Sequence, residues 1–388
     1  MTDFDRIIDR RGSDSEKWEV GDGELPMWVA DMDFRAADPI IEAVQAKAAS
    51  GVYGYTHIPD QWAASIASWW DRRHHWPVDP AWIGFCIGIV PAVSSLVRTF
   101  APVGSPVVTL TPVYNCFFTS IINSDRELVT CDLTYDQGVY GIDWAGLEAQ
   151  LVDPSTRLML LCNPHNPTGT VWSRADLARI GQLSLKHDVV VVSDEIHCDL
   201  TRPSVDYTPY ASVDDTCANT SVTLVSPTKA FNIAGLRTSA VIASNQALRD
   251  LALSGLNRDE LNEPNFFAVA ASIAAFDQGA AWLDQLRDYV WANHDLLRRH
   301  VSERLPMLRV VDSQATYLAW VDCSAITDDT TGLCDYLRAT TGLFVNPGQL
   351  YGQAGRGFIR INLACPISVL EDGLARLTTG VRGWISSR

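Results

Sequence analysis

Five short runs that are apolar almost without interruption, at 107–110, 158–162, 189–193, 222–226 and 240–243, constrain this chain more than any other feature. A strand with one wet face alternates apolar and polar residues, so continuous runs of this length predict strands buried on both faces, as in a largely parallel sheet. Between them lie segments of helical period. In one of these Ser173 can cap a helix, and Asp176, three residues on, can complete a capping box. The alternation predicts an α/β core. Past Asn262-Glu263-Pro264 the texture changes to long amphipathic helix through about residue 300, followed by strand-like pieces at 308–311, 317–321 and 358–362, which predicts a smaller α+β domain. We expect residues 1–50 to form an arm that packs on this domain and contributes to it, 51–285 the large domain, and 286–388 the small one.

The net charge of −16 excludes a nucleic-acid binder, because phosphate backbones are gripped by clustered cations. No apolar run approaches the roughly 18 residues of a membrane helix. The amino terminus is polar and lacks the apolar stretch of a secretory signal. Both observations predict a cytoplasmic protein with no membrane partner. The nine cysteines contain no C-x-x-C pair and read as reduced core thiols, and the eight histidines show no ligand spacing, so no metal is expected.

Only four lysines occur, at 17, 47, 186 and 229. The first three read as surface residues. Lys229 differs: it lies just past the apolar run 222–226, at the carboxyl end of a buried strand, where open parallel sheets bind their ligands. Ser226 and Thr228 fall at the same end. Asp194 ends the run 189–193, and a carboxylate emerging there needs a cation to offset its desolvation. A third strand end supplies Asn163-Pro164-His165-Asn166-Pro167-Thr168-Gly169, a turn rigidified by two prolines.

In this order, N-P-x-N-P-T-G, S-D-E-I-H and S-x-x-K-x-F-x-x-x-G-x-R resemble the signature of fold type I pyridoxal-phosphate enzymes, the aspartate aminotransferase superfamily. W-V-A-D-M-D-F at 28–34, Y-G-Y-T at 53–56, S-P-T-K-A-F-N-I-A-G-L at 226–236 and I-R-I-N at 359–362 are similar to the MalY/PatB-type cystathionine beta-lyases. The resemblance covers essentially the whole chain. It implies a large domain with a mostly parallel mixed sheet flanked by helices, plus a smaller α+β domain. Lys229 then stands where the family's lysine anchors the cofactor and later takes the α-proton. Asp194 would pair with the pyridinium nitrogen, Asn166 with the phenolic oxygen, and Tyr114 would cover the ring face. Gly88, Ile89 and Val90, followed by Pro91 and helical sequence, match the phosphate turn; Gly88 is expected to permit an unusual backbone angle. Ser226, Thr228 and Arg237 would complete the phosphate cup. Arg360 would grip the substrate α-carboxylate, with the segment from Trp28 to Phe34 lining the substrate entrance. Tyr55 resembles the tyrosine that relatives contribute across a homodimer interface to the neighbouring site. His165 and His197 are expected to pack behind the site.

The implied reaction is carbon–sulfur β-elimination: L-cystathionine, or a related cysteine thioether, to a thiol, pyruvate and ammonia. The alternatives are an aminotransferase, which shares fold and cofactor shell, and a lyase with an added protein-binding regulatory role, as one member of the resembled family has.

Overall fold

The computed structural model describes residues 2–387. Its principal sheet has seven strands: β1 (Ile83–Cys86), β2 (Pro106–Thr111), β3 (Glu127–Asp132), β4 (Leu158–Cys162), β5 (Val190–Asp194), β6 (Ser221–Val225) and β7 (Ser239–Ile242). The spatial order is β1-β7-β6-β5-β4-β2-β3; β3, β2, β4, β5 and β6 are parallel, and β7 is antiparallel to both its neighbours. Alternate residues of the central strands feed opposite cores. Val108, Met159, Leu161 and Val191 pack with the helices Trp144–Leu151 and Arg174–His187. Val107, Leu158, Leu160 and Val192 pack with Ile89–Phe100 and Gln246–Arg258. Each such side chain is worth about 1.5–3 kcal/mol removed from water, which is why the runs tolerate so few polar residues. The expected capping box is present: Ser173 Oγ accepts the Asp176 N–H at 3.1 Å, and Asp176 Oδ2 accepts the Ser173 N–H at 3.3 Å.

The single long helix expected past 264 is two helices, Ala268–Gln278 and Ala280–Arg304. They part at Gly279, where a Cβ would lie 2.4 Å from the Phe231 ring and 2.5 Å from the Ala275 carbonyl oxygen. A packing contact from elsewhere in the chain sets that break, and the local pattern does not reveal it. The second helix runs through residue 285, where the sequence suggested a boundary.

The smaller sheet comprises β8 (Arg309–Val310), β9 (Leu318–Asp322), β10 (Asn346–Pro347) and β11 (Phe358–Asn362), in the order β8-β9-β11-β10 and antiparallel throughout. The helices Thr330–Thr341 and Ile367–Ser386 share its core. The amino-terminal arm joins this unit: Leu25–Pro26 pairs in parallel with Leu343–Phe344, and Glu24 accepts from Arg338 Nε and Nη2 at 2.6 and 2.9 Å.

Glu195, directly after β5, is a fully buried carboxylate. It accepts from Ser193 Oγ at 2.8 Å, from the Tyr210 N–H at 2.9 Å and from the Tyr207 hydroxyl, and so ties the loop around 207–210 to the sheet end. Burial pushes its pKa up to about 7 against these donors. An acid whose folded pKa lies above its unfolded value stabilises the fold fully below the unfolded value and loses that contribution as pH rises through the folded one. Asp194, raised by burial to about 7 as well, adds a slope of the same sign. Glu195→Gln is therefore expected to lessen, by up to about 1.4 kcal/mol per pH unit, the decline in stability of the cofactor-free protein between pH 5 and 7. Urea unfolding across that range measures it; an unchanged slope counts against a protonatable Glu195.

Candidate active site

β4, β5 and β6 lie side by side, so the segments that follow them emerge at one edge. The Asn163 N–H donates to the Asp194 carbonyl at 2.9 Å, tying the turn after β4 to the end of β5. The Asp194 side chain is buried, and its Oδ1 accepts the Ile196 N–H at 3.1 Å. After β6, Ser226 Oγ accepts the Thr228 N–H at 3.1 Å and donates to the Thr238 carbonyl at 2.7 Å. This capped single turn, Pro227–Ala230, carries Lys229. Because β7 runs the opposite way, its first residue, Ser239, arrives at the same edge.

Together these ends enclose a cavity of about 490 Å³. Of the residues singled out in the sequence, Gly88, Ile89, Val90, Tyr114, Asn166, Asp194, Thr228, Lys229 and Arg237 line it. Ala30, from the segment expected at the entrance, also lines it, as do Cys162, Ile196, Gly235 and Ser239, which the sequence did not single out. Ser239 went unseen because an apolar run does not show which way its strand points. His197, expected behind the site, faces the cavity; it is buried and its Nδ1 has no hydrogen-bond partner among the described residues. His165 does pack behind, edge-on to Trp172 and with Nε2 2.7 Å from the Pro112 carbonyl.

Burial, and secondarily the Arg360 charge, lowers the Lys229 pKa to about 8, while burial raises that of Asp194 to about 7. Lys229 Nζ donates to the Ala30 carbonyl, and no ion pair joins it to Asp194. The carboxylate therefore faces the cavity with no cation in contact among the described residues, opposite an amine whose pKa burial has brought down to about 8. The expectation for Gly88 needs correction. Its φ of 160° is extended backbone open to any residue, and a Cβ there would touch only the Pro91 ring, at 3.4 Å. What the glycine leaves is open space before the first N–H groups of the helix Ile89–Phe100, whose first turn holds Pro91 as expected.

Four expected residues lie off the cavity wall. Ser226 is occupied in capping. Arg360, on β11, is buried; it donates through Nη1 to Asn166 Oδ1 at 3.3 Å and through Nη2 to the Trp28 carbonyl at 3.0 Å. Its guanidinium carbon lies 4.7 Å from the centre of the Tyr351 ring, and among the described residues no carboxylate pairs with it. The Trp28 ring stacks on Phe344 at 4.8 Å, so its main chain, rather than its ring, approaches the site. Tyr55 is fully exposed. The reading of three surface lysines holds for Lys186, paired with Glu148, and fails for Lys17, which is buried with Nζ 2.7 Å from Asp33 Oδ2.

The architecture has close counterparts. The chain is 40% identical over 96% of its length to cystathionine beta-lyase PatB of Bacillus subtilis, covering 98% of that protein. It is 35% identical to Protein MalY of Escherichia coli, over 98% of this chain and 99% of that one. The crystal structure of cystalysin from Treponema denticola, which contains a pyridoxal 5′-phosphate cofactor, superposes with a TM-score of 0.94 at 32% identity, covering 99% of both chains. A family model described as aminotransferase class I and II matches residues 29–377, and with these full-length likenesses it shows that the chain belongs to that family, in its MalY/PatB branch.

Proposed function

We propose that this protein is a pyridoxal-phosphate-dependent carbon–sulfur β-lyase that takes L-cystathionine and related cysteine thioethers to homocysteine or another thiol, pyruvate and ammonia. The observation that carries this reading is the placement, on one cavity, of a buried lysine and a buried carboxylate that has no cation in contact among the described residues. The cofactor fits both ends. Its cationic ring nitrogen is the partner Asp194 lacks, and its phosphate suits the open space before the N–H groups of Ile89 and Val90, with Thr228 and Arg237 beside it. Asn166, its Oδ1 engaged by Arg360, keeps Nδ2 to donate inward, and Tyr114 supplies an aromatic face. Bound here, pyridoxal phosphate supplies a carbonyl for the amino group and a ring that draws electrons from the α-carbon.

The remaining chemistry belongs to the chain. A pKa near 8 leaves an appreciable share of Lys229 unprotonated at neutral pH, as a base for the α-proton requires. Arg360 offers a planar fork to the α-carboxylate, and a buried guanidinium without a carboxylate is stable only if an anion comes to it. A thiolate leaving from the β-carbon needs little help from an acid. Elimination is favoured over transamination by the likeness to PatB, whose name states that activity.

A homodimer is part of the proposal. Val52, Tyr53 and Tyr55 are exposed together on one irregular segment, and a second copy that covered them would bring Tyr55 toward the neighbouring site. The nine thiols, unpaired and mostly buried, suit the reducing cytoplasm.

With cystathionine and no keto acid, equimolar pyruvate and thiol are expected to accumulate over many turnovers. Release that stops at one equivalent per site, with the cofactor left in its amine form, would make the protein an aminotransferase. Lys229→Ala should abolish the visible band of the loaded protein and slow turnover by about 10²–10⁴-fold or more. Arg360→Lys should lower kcat/KM by roughly 10–100-fold while retaining the cofactor, through loss of the two-pronged contact. Titration of cofactor absorbance and steady-state kinetics measure both.

A further inference from the structure

Ala30 lines the cavity and belongs to residues 28–31, a segment with neither helix nor strand, so the shape of this part of the wall depends on the side chains that hold the segment. On the inner side its carbonyls are taken by residues of both sheets. Ala30 accepts from Lys229 Nζ and from the Tyr317 hydroxyl at 2.9 Å. Trp28 accepts from Arg360 Nη2 and Asn346 Nδ2, each at 3.0 Å, and Asn362 Nδ2 reaches the Val29 and Asp31 carbonyls, each at 2.6 Å. Two of these donors, Lys229 and Arg360, are the groups the proposed function assigns to cofactor and substrate.

The outer side is held differently. Asp33 is buried, and its carboxylate takes Lys17 Nζ at 2.7 Å on one oxygen, with Trp18 Nε1 at 2.7 Å and Arg10 Nη1 at 3.2 Å on the other. Arg10 also forks Asp31, at 2.6 and 2.9 Å, and Lys17 reaches the Asp31 carbonyl at 3.2 Å. Lys17 is 1% exposed and Asp33 5%, so both charges have been taken out of water. Such a pair returns little net stability, and its better-attested use is to select one conformation. No residue of this network lines the cavity, and none of its hydrogen bonds involves Lys229 or Arg360.

We propose that Asp33 is a positioning residue: clamped by Lys17, Trp18 and Arg10, it holds the main chain of residues 28–31 in the shape against which the amino-acid substrate seats, and so governs substrate affinity rather than cofactor retention. This rests on the reading of the cavity as a pyridoxal-phosphate site for an amino acid.

The test is the holoenzyme carrying Lys17→Met together with Asp33→Asn, which removes both buried charges and strands neither. Cofactor content and absorbance are expected to match the parent protein, amide hydrogen exchange across 28–34 to rise about tenfold, and KM for cystathionine to rise about tenfold or more with kcat within about threefold. Trp18→Phe, which deletes only the indole contact, should shift exchange and KM in the same direction by less. Unchanged exchange and KM in a folded double variant would overturn the proposal, as would a fall in kcat at constant KM. If the parent protein binds pyridoxal phosphate but does not cleave cystathionine, the lyase reading alone fails. Asp33 is then judged by exchange and by the affinity for L-alanine, which has no β-leaving group, followed in the cofactor spectrum; equal affinity in parent and variant overturns the proposal.

Discussion

Asp194 is a carboxylate at the end of a strand buried on both faces, and among the described residues no cation touches it. A charge in that position is tolerated only as a protonated acid or beside something positive, and burial has already raised its pKa to about 7. The sheet creates this condition. β5 is central, its neighbours β4 and β6 end at the same level, and helices on both faces keep water from the strand interiors. The amine of Lys229 and the amide of Asn166 are carried by those two neighbours. One geometric fact, three adjacent parallel strands ending together, therefore assembles an acid, an amine and an amide from residues 63 positions apart at the extremes.

Both-face burial is also why so much of the fold can be read from the chain. A strand that must feed two cores has no freedom to be polar, and β2, β4, β5, β6 and β7 announce themselves. The strands that escape notice are the ones under weaker demand. β3, at the sheet edge, is mostly exposed or half-exposed, and β1 is four residues long with a glycine in it. The break at Gly279 depends on Phe231, remote in sequence, and no local pattern carries that contact. In the site, residues that act through side chains at strand ends were legible from motif and placement. The segment holding Ala30 was legible only as a whole, with no one residue singled out, and a residue placed by strand direction, such as Ser239, was not legible. Lys17 was misread for a related reason: its charge says surface, and only the tertiary position of Asp33 says otherwise.

Arg360 illustrates how a missing partner can be informative. The chain carries a net charge of −16, so carboxylates are abundant, and most of its ion pairs lie at least partly in solvent. Arg360 is buried on β11 with carbonyl, amide and aromatic neighbours and no acid among the described residues. Neutral acceptors orient a guanidinium without neutralising it. The site thus holds a fixed positive charge at the small-sheet side and a fixed carboxylate at its floor, with opposite demands that a ring cation and a substrate carboxylate satisfy separately.

Where Arg360 and Lys229 reach the segment 28–31, at the Trp28 and Ala30 carbonyls, the site is bounded by main chain. A main-chain wall cannot be tuned by exchanging its side chains, because the groups it presents are the same carbonyls and N–H groups whatever the residue. Its selectivity must reside in where it is placed, and placement is decided from behind, by Asp33 and the arm residues that clamp it. The arm in turn is fastened to the small sheet through Leu25–Pro26 and Glu24. The clamp therefore couples the position of the wall to that of Arg360, since both are carried by the same unit. A displacement of that unit would move guanidinium and wall together, preserving their spacing while changing their distance from Lys229.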